Sequence, residues 1–232
     1  MSVKSLIEKH NKRNDLVFNK KEHKYFVNEE EYISVTTLIS KYFVFDEKKA
    51  AEFVAAKNLV TPKDVLDDWE KIRDKGSYIH NLADKYAKGE NLEDSELDEI
   101  GGVIDFFEGE EFDLVASEII VFSKKHKVAG TVDLILTKNN KLFIADYKTN
   151  KKPVLKDDYF DKALEPFDEF GNNKFHIYSM QLSMYSVILK EEYGVDIYDF
   201  FVVQIGSKGY NIVSLMDLRF EALEMLNLAR RN

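Results

Sequence analysis

Asp133, Asp146 and Lys148 stand in the stretch Gly130-Thr131-Val132-Asp133 to Asp146-Tyr147-Lys148-Thr149. Two alternating runs flank Asn139-Asn140, a dipeptide that accepts the positive φ a two-residue hairpin turn demands. Pairing 138 with 141 and working outward sets 133 opposite 146 and 131 opposite 148. Two carboxylates and one ammonium then emerge on one sheet face. Opposed carboxylates with Cβ atoms roughly 4.5 to 5.5 Å apart repel, which is a poor way to stabilise a sheet. A divalent cation reverses that sign, because Mg²⁺ takes oxygen ligands and suits two carboxylates plus a substrate phosphate. Lys148 would sit beside such an ion, placed to orient or deprotonate water or to stabilise charge building on the phosphate. The pattern is that of a metal-dependent phosphodiesterase site. A plain Asp-Lys bridge across an exposed hairpin is the competing reading. Against it, Val132, Leu134, Leu136 and Phe143 line one face and Ile135, Leu142 and Ile144 the other, as in a strand pair covered on both sides.

At these residues the chain resembles the PD-(D/E)XK nuclease superfamily, in particular its RecB-like branch of exonucleases with phage and mitochondrial members. Besides Gly-Thr-Val-Asp133 and Asp146-Tyr-Lys148-Thr, three outlying elements occur in the order of that branch: Gly76-Ser-Tyr-Ile-His80, Glu118, and Gln181-Leu-Ser-Met-Tyr185. The resemblance implies a restriction-endonuclease-like α/β core, a central mixed sheet flanked by helices. It implies that Asp133, Asp146, the Tyr147 carbonyl and His80 bind Mg²⁺ or Mn²⁺, and that Lys148 is the catalytic lysine. It further implies that Glu118 supports the metal shell or contacts substrate, and that Gln181 and Tyr185 hold the site or the DNA. Asp stands at the second acidic position, where many relatives carry Glu.

The outlying residues also have readings of their own. In the helical stretch Trp69 to Lys88, Gly76, His80 and Asp84 share a face at i, i+4 and i+8, so a helix can carry the imidazole to the sheet. Asp84 reads as a supporting or surface residue. Gln181 and Tyr185 project from one face of an amphipathic helix over Phe175 to Tyr193. Glu118 opens an apolar strand, Ile119 to Phe122, where a charged first residue is unremarkable. Ser34, Thr36 and Thr37 suit capping of a following helix better than donation to a phosphate.

With 232 residues, 44% of them hydrophobic, the chain can bury the core of a single domain over 1–232, with an N-terminal hairpin and helical element at about 1–60. No apolar run approaches the roughly 20 residues of a membrane span, and the charged N-terminus does not suit a signal peptide. A soluble, cytoplasmic protein is the expectation, with phage proteins among those it resembles. Cysteine is absent, which excludes an iron-sulfur cluster held by thiolates. No phosphate-binding loop of the ATPase type occurs, so an ATP-driven helicase, a recombinase or a single-strand-binding protein would be a separate partner.

The net charge of -9 is unevenly spread. Residues 121–156 hold nine lysines against two acids, which reads as a basic stripe around the site that follows a DNA backbone. Lys151 and Lys152, with Thr149, are candidate DNA contacts, and Tyr147, Tyr159 and Phe160 candidate stacking partners for single-stranded ends. Exonuclease is preferred to endonuclease, because no separate sequence-reading module is evident. A non-catalytic DNA-binding or assembly subunit of the same fold, and an RNA-directed nuclease, are the alternatives. The patterns predict a hairpin from Leu16–Phe18 and Lys24–Val27. Helices are expected at 47–58, 63–88 and 95–109, strands at 118–124, 127–138 and 141–149, and a loop at 157–173. Past the Gln181 helix, strands at 199–205 and 209–215 and a helix at 217–230 complete the chain.

Overall fold

The computed structural model describes residues 2–149, 154–156, 161–206 and 209–230. Helix α1 (Val3–Arg13) leads into the hairpin β1 (Val17–Asn19) and β2 (Lys24–Val27), then β3 (Glu30–Ser34) and α2 (Val35–Ser40). A helical layer follows: α3 (Glu47–Asn58), α4 (Pro62–Ala87), α5 (Asp94–Glu99) and α6 (Gly101–Gly109). The core strands β4 (Asp113–Ser123), β5 (Val128–Lys138) and β6 (Lys141–Lys148) precede α7 (Lys174–Tyr193), β7 (Asp199–Ile205), β8 (Tyr210–Ser214) and α8 (Arg219–Ala229). The result is the expected α/β architecture around a mixed sheet.

The sheet runs β1-β2-β3-β5-β6-β7-β8, with β4 on the other edge of β5. β3–β5 and β6–β7 are parallel, and the remaining pairs are antiparallel. The β5–β6 hairpin has the register read from the sequence from Lys138 opposite Lys141 to Leu134 opposite Ala145, but the ladder ends there, so the expected pairs 133–146 and 131–148 do not form. Asn139 and Asn140 both take positive φ, 53° and 60°, as a primed turn requires. Both faces are covered. Ile135, Ile144 and Phe200 pack into a core with residues of α2, α7 and α8, while Leu134, Leu136, Ala145 and Val203 meet Ile79, Leu82, Val103 and Phe106 from α4 and α6.

Local chemistry sets the helix ends. Thr61 and Asp64 form a reciprocal capping box before α4, with Pro62 in its first turn. Asn173 caps the start of α7, and Gly194, at φ 68°, ends it. Ser34 caps α2 by accepting the Thr37 N–H at 3.0 Å, the capping role anticipated for this segment.

Several boundaries differ from expectation. α1 is not among the helices placed one by one from the sequence, because only Val3, Leu6 and Ile7 mark its packed face among polar and charged neighbours. The stretch 95–109 is two helices with Ile100 between them. β4 begins at Asp113, so Glu118 lies in mid-strand and not at its start. α7 is buried around most of its circumference and not along one stripe. Its buried Ser179 and Ser183 accept the N–H groups of Met216 and Leu218, which is how polar residues fit inside the core. Among the described residues no helix is long and apolar enough to cross a membrane.

Candidate metal centre and cleft

The site lies where the sheet forks. β5 pairs with β3 at 128–129 and with β6 at 134–138, along the same edge. Between those segments β6 leaves β5 and continues on β7, with Asp146, Tyr147 and Lys148 opposite Val202, Val203 and Gln204. Asp133 sits in the opening. Its Oδ2 accepts the Tyr147 N–H at 2.9 Å, so a side chain takes over the backbone donor that the diverging ladder releases.

On its other edge β5 faces β4, whose register sets Ser117 against Leu134 and Ile119 against Val132. Glu118, between them, has a φ of 46°. A positive φ in a non-glycine residue costs of order 1–3 kcal/mol and re-aims the side chain. The carboxylate is delivered to the Asp133 side of the sheet. From α4, His80 reaches the same point, with Nδ1 3.2 Å from Asp133 Oδ2 and 4.0 Å from Glu118 Oε1. One ligand atom from each of His80, Glu118 and Asp133 lies within 4.8 Å of the other two.

Asp146 stands across the fork, 3% exposed, paired with the Lys148 ammonium and accepting from Gln181 Nε2 at 3.3 Å. Lys148 also lies 4.7 Å above the Tyr178 ring. Burial would lower its pKa, but the Asp146 and Asp133 charges and the Asp146 hydrogen bond outweigh that and hold the ammonium above its usual range. The carboxyls respond the opposite way. Burial, then the charges of Asp133, Asp84 and Asp146, push Glu118 up to about 8. Burial and the Asp146 charge push Asp133 up to about 6, against the pull of His80, Lys148 and the Tyr147 N–H. The centre therefore carries more negative charge than its own cations offset. With one imidazole and several carboxylates as donors, these residues fit a divalent metal ion.

Tyr185 packs so closely on Gly130 that a Cβ there would lie 2.7 Å from the ring, which ties the glycine of Gly-Thr-Val-Asp133 to the tyrosine on α7. Thr149 abuts Gly76 of α4 in the same manner, with 3.3 Å from a Cβ built at Gly76 to Thr149 Oγ1. The site residues other than Tyr178 line one cleft of 1020 Å³, walled by the β1–β2 hairpin, the start of α2, α4, the sheet and α7. Gly76, His80 and Asp84 all face it, as their helical spacing required.

Among the described residues the basic stripe does not surround this cleft. Of the described lysines in 121–156 only Lys148 lines it. Lys125 pairs with Glu191 and Lys127 with Glu30, while Lys138 and Lys141 lie at the hairpin tip against Phe112 and Tyr198. The cations at the cleft are Lys20, Arg73, Lys88 and Lys174, from elements distant in sequence. Lys151, Lys152, Tyr159 and Phe160 fall outside the described residues. The sequence reading also missed Tyr25, whose hydroxyl lies 3.1 Å from Thr131 Oγ1, and the placement of Tyr178 under Lys148. Tyr25 and Thr131 are 106 positions apart, so no local pattern links them.

A family model of the PD-(D/E)XK nuclease superfamily matches residues 102–210, just under half of the chain. The matched span holds Glu118, Asp133, Asp146, Lys148, Gln181 and Tyr185, and leaves His80 outside. No curated protein matches the chain. The family match supports that superfamily and, with the clustered His80, Glu118 and Asp133, a metal-dependent nuclease. The α/β architecture is consistent with its restriction-endonuclease-like core.

Proposed function

We propose that this chain is a Mg²⁺- or Mn²⁺-dependent deoxyribonuclease that hydrolyses phosphodiester bonds, acting as an exonuclease on single-stranded or end-containing DNA. The observation that carries the reading is the convergence of Asp133, Glu118 and His80 with the Asp146–Lys148 pair at the fork in the sheet. His80, Glu118 and Asp133, with Asp146 and the Tyr147 carbonyl, would hold the ion. When bound, such an ion polarises the phosphate and lowers the pKa of a water molecule.

The chain's own groups do the rest. Lys148, paired with Asp146 beside Asp133, is placed to neutralise negative charge growing on the phosphate and to orient water. Gln181 fixes the Asp146 carboxylate from α7, and Tyr178 backs the ammonium. Lys20, Arg73, Lys88 and Lys174 line the cleft, Arg73 paired with Glu47 and Lys88 with Asp84, and are the cations a phosphate backbone would recruit there. The exonuclease preference rests on the resemblance to the RecB-like branch and on the lack of any separate base-reading module among the described residues.

The test incubates purified protein with end-labelled single-stranded, duplex and circular DNA, and with RNA of the same sequence, in Mn²⁺, Mg²⁺ or chelator. Mononucleotide or short-oligonucleotide release from linear DNA, silent in chelator and in Lys148→Ala, is expected. Circular DNA cut as fast as linear DNA would reverse the exonuclease assignment, and undiminished turnover by Lys148→Ala would remove the lysine's role.

A further inference from the structure

The β1–β2 hairpin carries an aromatic cluster that the metal centre does not use. Phe18 and Tyr25 are direct cross-strand partners, and their rings stack at 4.6 Å with an interplanar angle of 18°. His23, turned by a φ of 52° at the hairpin loop, sets its ring 5.3 Å from Phe18 at 84° and 5.8 Å from Tyr25 at 77°. The three rings form a right-angled corner. All of them line the cleft that holds Asp133, with Lys20 of the same hairpin beside them.

Tyr25 is buried and rigidly placed, since its hydroxyl meets Thr131 Oγ1 at 3.1 Å. Thr131 precedes Asp133 by two residues on β5, roughly 7 Å along a strand. Phe18 is half-buried and His23 exposed, and both contribute surface to the cleft. Structural need alone explains Tyr25 and part of Phe18. It does not explain an exposed imidazole folded over them at the mouth of an acidic, metal-suited centre.

The geometry points to this corner as a stacking platform for an unpaired nucleobase, adjacent to the phosphate held at Asp133 and Lys148. This deepens the nuclease reading and rests on it. A flat π-face stacks on any base, so the platform selects for a single strand without selecting sequence, and Lys20 supplies a backbone contact nearby. A paired base, whose faces are already covered by its neighbours, gains nothing from it.

The experiment combines substitutions in the platform with gaps in the substrate. Parent, Phe18→Leu and His23→Ala proteins are assayed with Mn²⁺ on single-stranded oligonucleotides, intact or with one abasic sugar placed at successive positions from the end. Phe18→Leu keeps apolar bulk, and His23 is exposed, so folding is retained and circular dichroism checks it. Loss of one stacked base is expected to raise KM by ~10-fold at a single abasic position in the parent, with kcat little changed. Both variants should show a similar rise on intact strands and no further penalty at that position. An equal abasic penalty in parent and both variants, or none in the parent, overturns the platform while leaving the nuclease standing. No cleavage of any strand by the parent overturns both.

Discussion

The charge at the fork makes cation binding compete with protons, and the competition has a calculable slope. Glu118, held up to about 8, and Asp133, held up to about 6, must both be ionised to serve an ion. At pH 6 the first is almost wholly protonated and the second half so, whereas at pH 8 the second is free and the first half free. From these two protons alone, apparent affinity for Mn²⁺ should rise by about 100-fold from pH 6 to pH 8, with about one proton released from the pair per ion at pH 7. In Glu118→Gln that competing proton is gone, so the same interval should give a much smaller rise, from a weaker starting affinity. Titration calorimetry with Mn²⁺ at pH 6, 7 and 8, repeated in buffers of different ionisation enthalpy, reads both the affinity and the proton count. An affinity that is flat with pH in the parent, or a slope that survives in Glu118→Gln, would refute the assignment of Glu118 to the centre.

The same carboxyls bear on stability. Their folded pKa values exceed the ordinary carboxylate range, so the native state holds protons that the unfolded chain gives up. Their contribution to stability is full below about pH 4 and is lost as pH rises toward 8. Metal-free parent should thus lose thermal stability relative to Glu118→Gln between pH 5 and pH 8, with Mn²⁺ narrowing the gap; a constant difference in Tm would argue against it. Gly130→Ala forces a Cβ to 2.7 Å from the Tyr185 ring, which is buried on α7, and should cost about 1–3 kcal/mol in urea unfolding. Tyr25→Phe removes the contact to Thr131 and should cost about 1 kcal/mol in the same assay, a figure that an unchanged midpoint would contradict.

Much of the centre was legible because it is local. Asp133, Asp146 and Lys148 lie on one hairpin, whose turn residues and alternation set the register that the structure shows from 134/145 to 138/141. His80 was legible through helical spacing, which brings Gly76, His80 and Asp84 to one face. Glu118 was named from the resemblance, but its local pattern did not place it beside Asp133 and His80. The β4–β5 register sets it across from Asp133, and a strand reading anticipates neither that long-range pairing nor its left-handed backbone. The lysines misled for a related reason. Closeness in sequence to Asp133 placed them on the same strands, yet β5 is 11 residues long, so Lys138 ends at the far tip of the hairpin. What fills the cleft comes from β1–β2, α4 and α7, and those approaches depend on long-range packing that no period encodes.

The bifurcation beside Asp133 also divides the labour of the mouth. One bank hangs on β5 through only two residue pairs, Ile33 with Val128 and Ser34 with Ala129, whereas the opposite bank is laced to β7 along six. The tightly laced side holds the ammonium and the acid beside it, and the lightly tethered side holds the aromatic hairpin. The character of the mouth can therefore be retuned by exchanging a short N-terminal module, while Asp146 and Lys148 stay on the strand with the longer ladder.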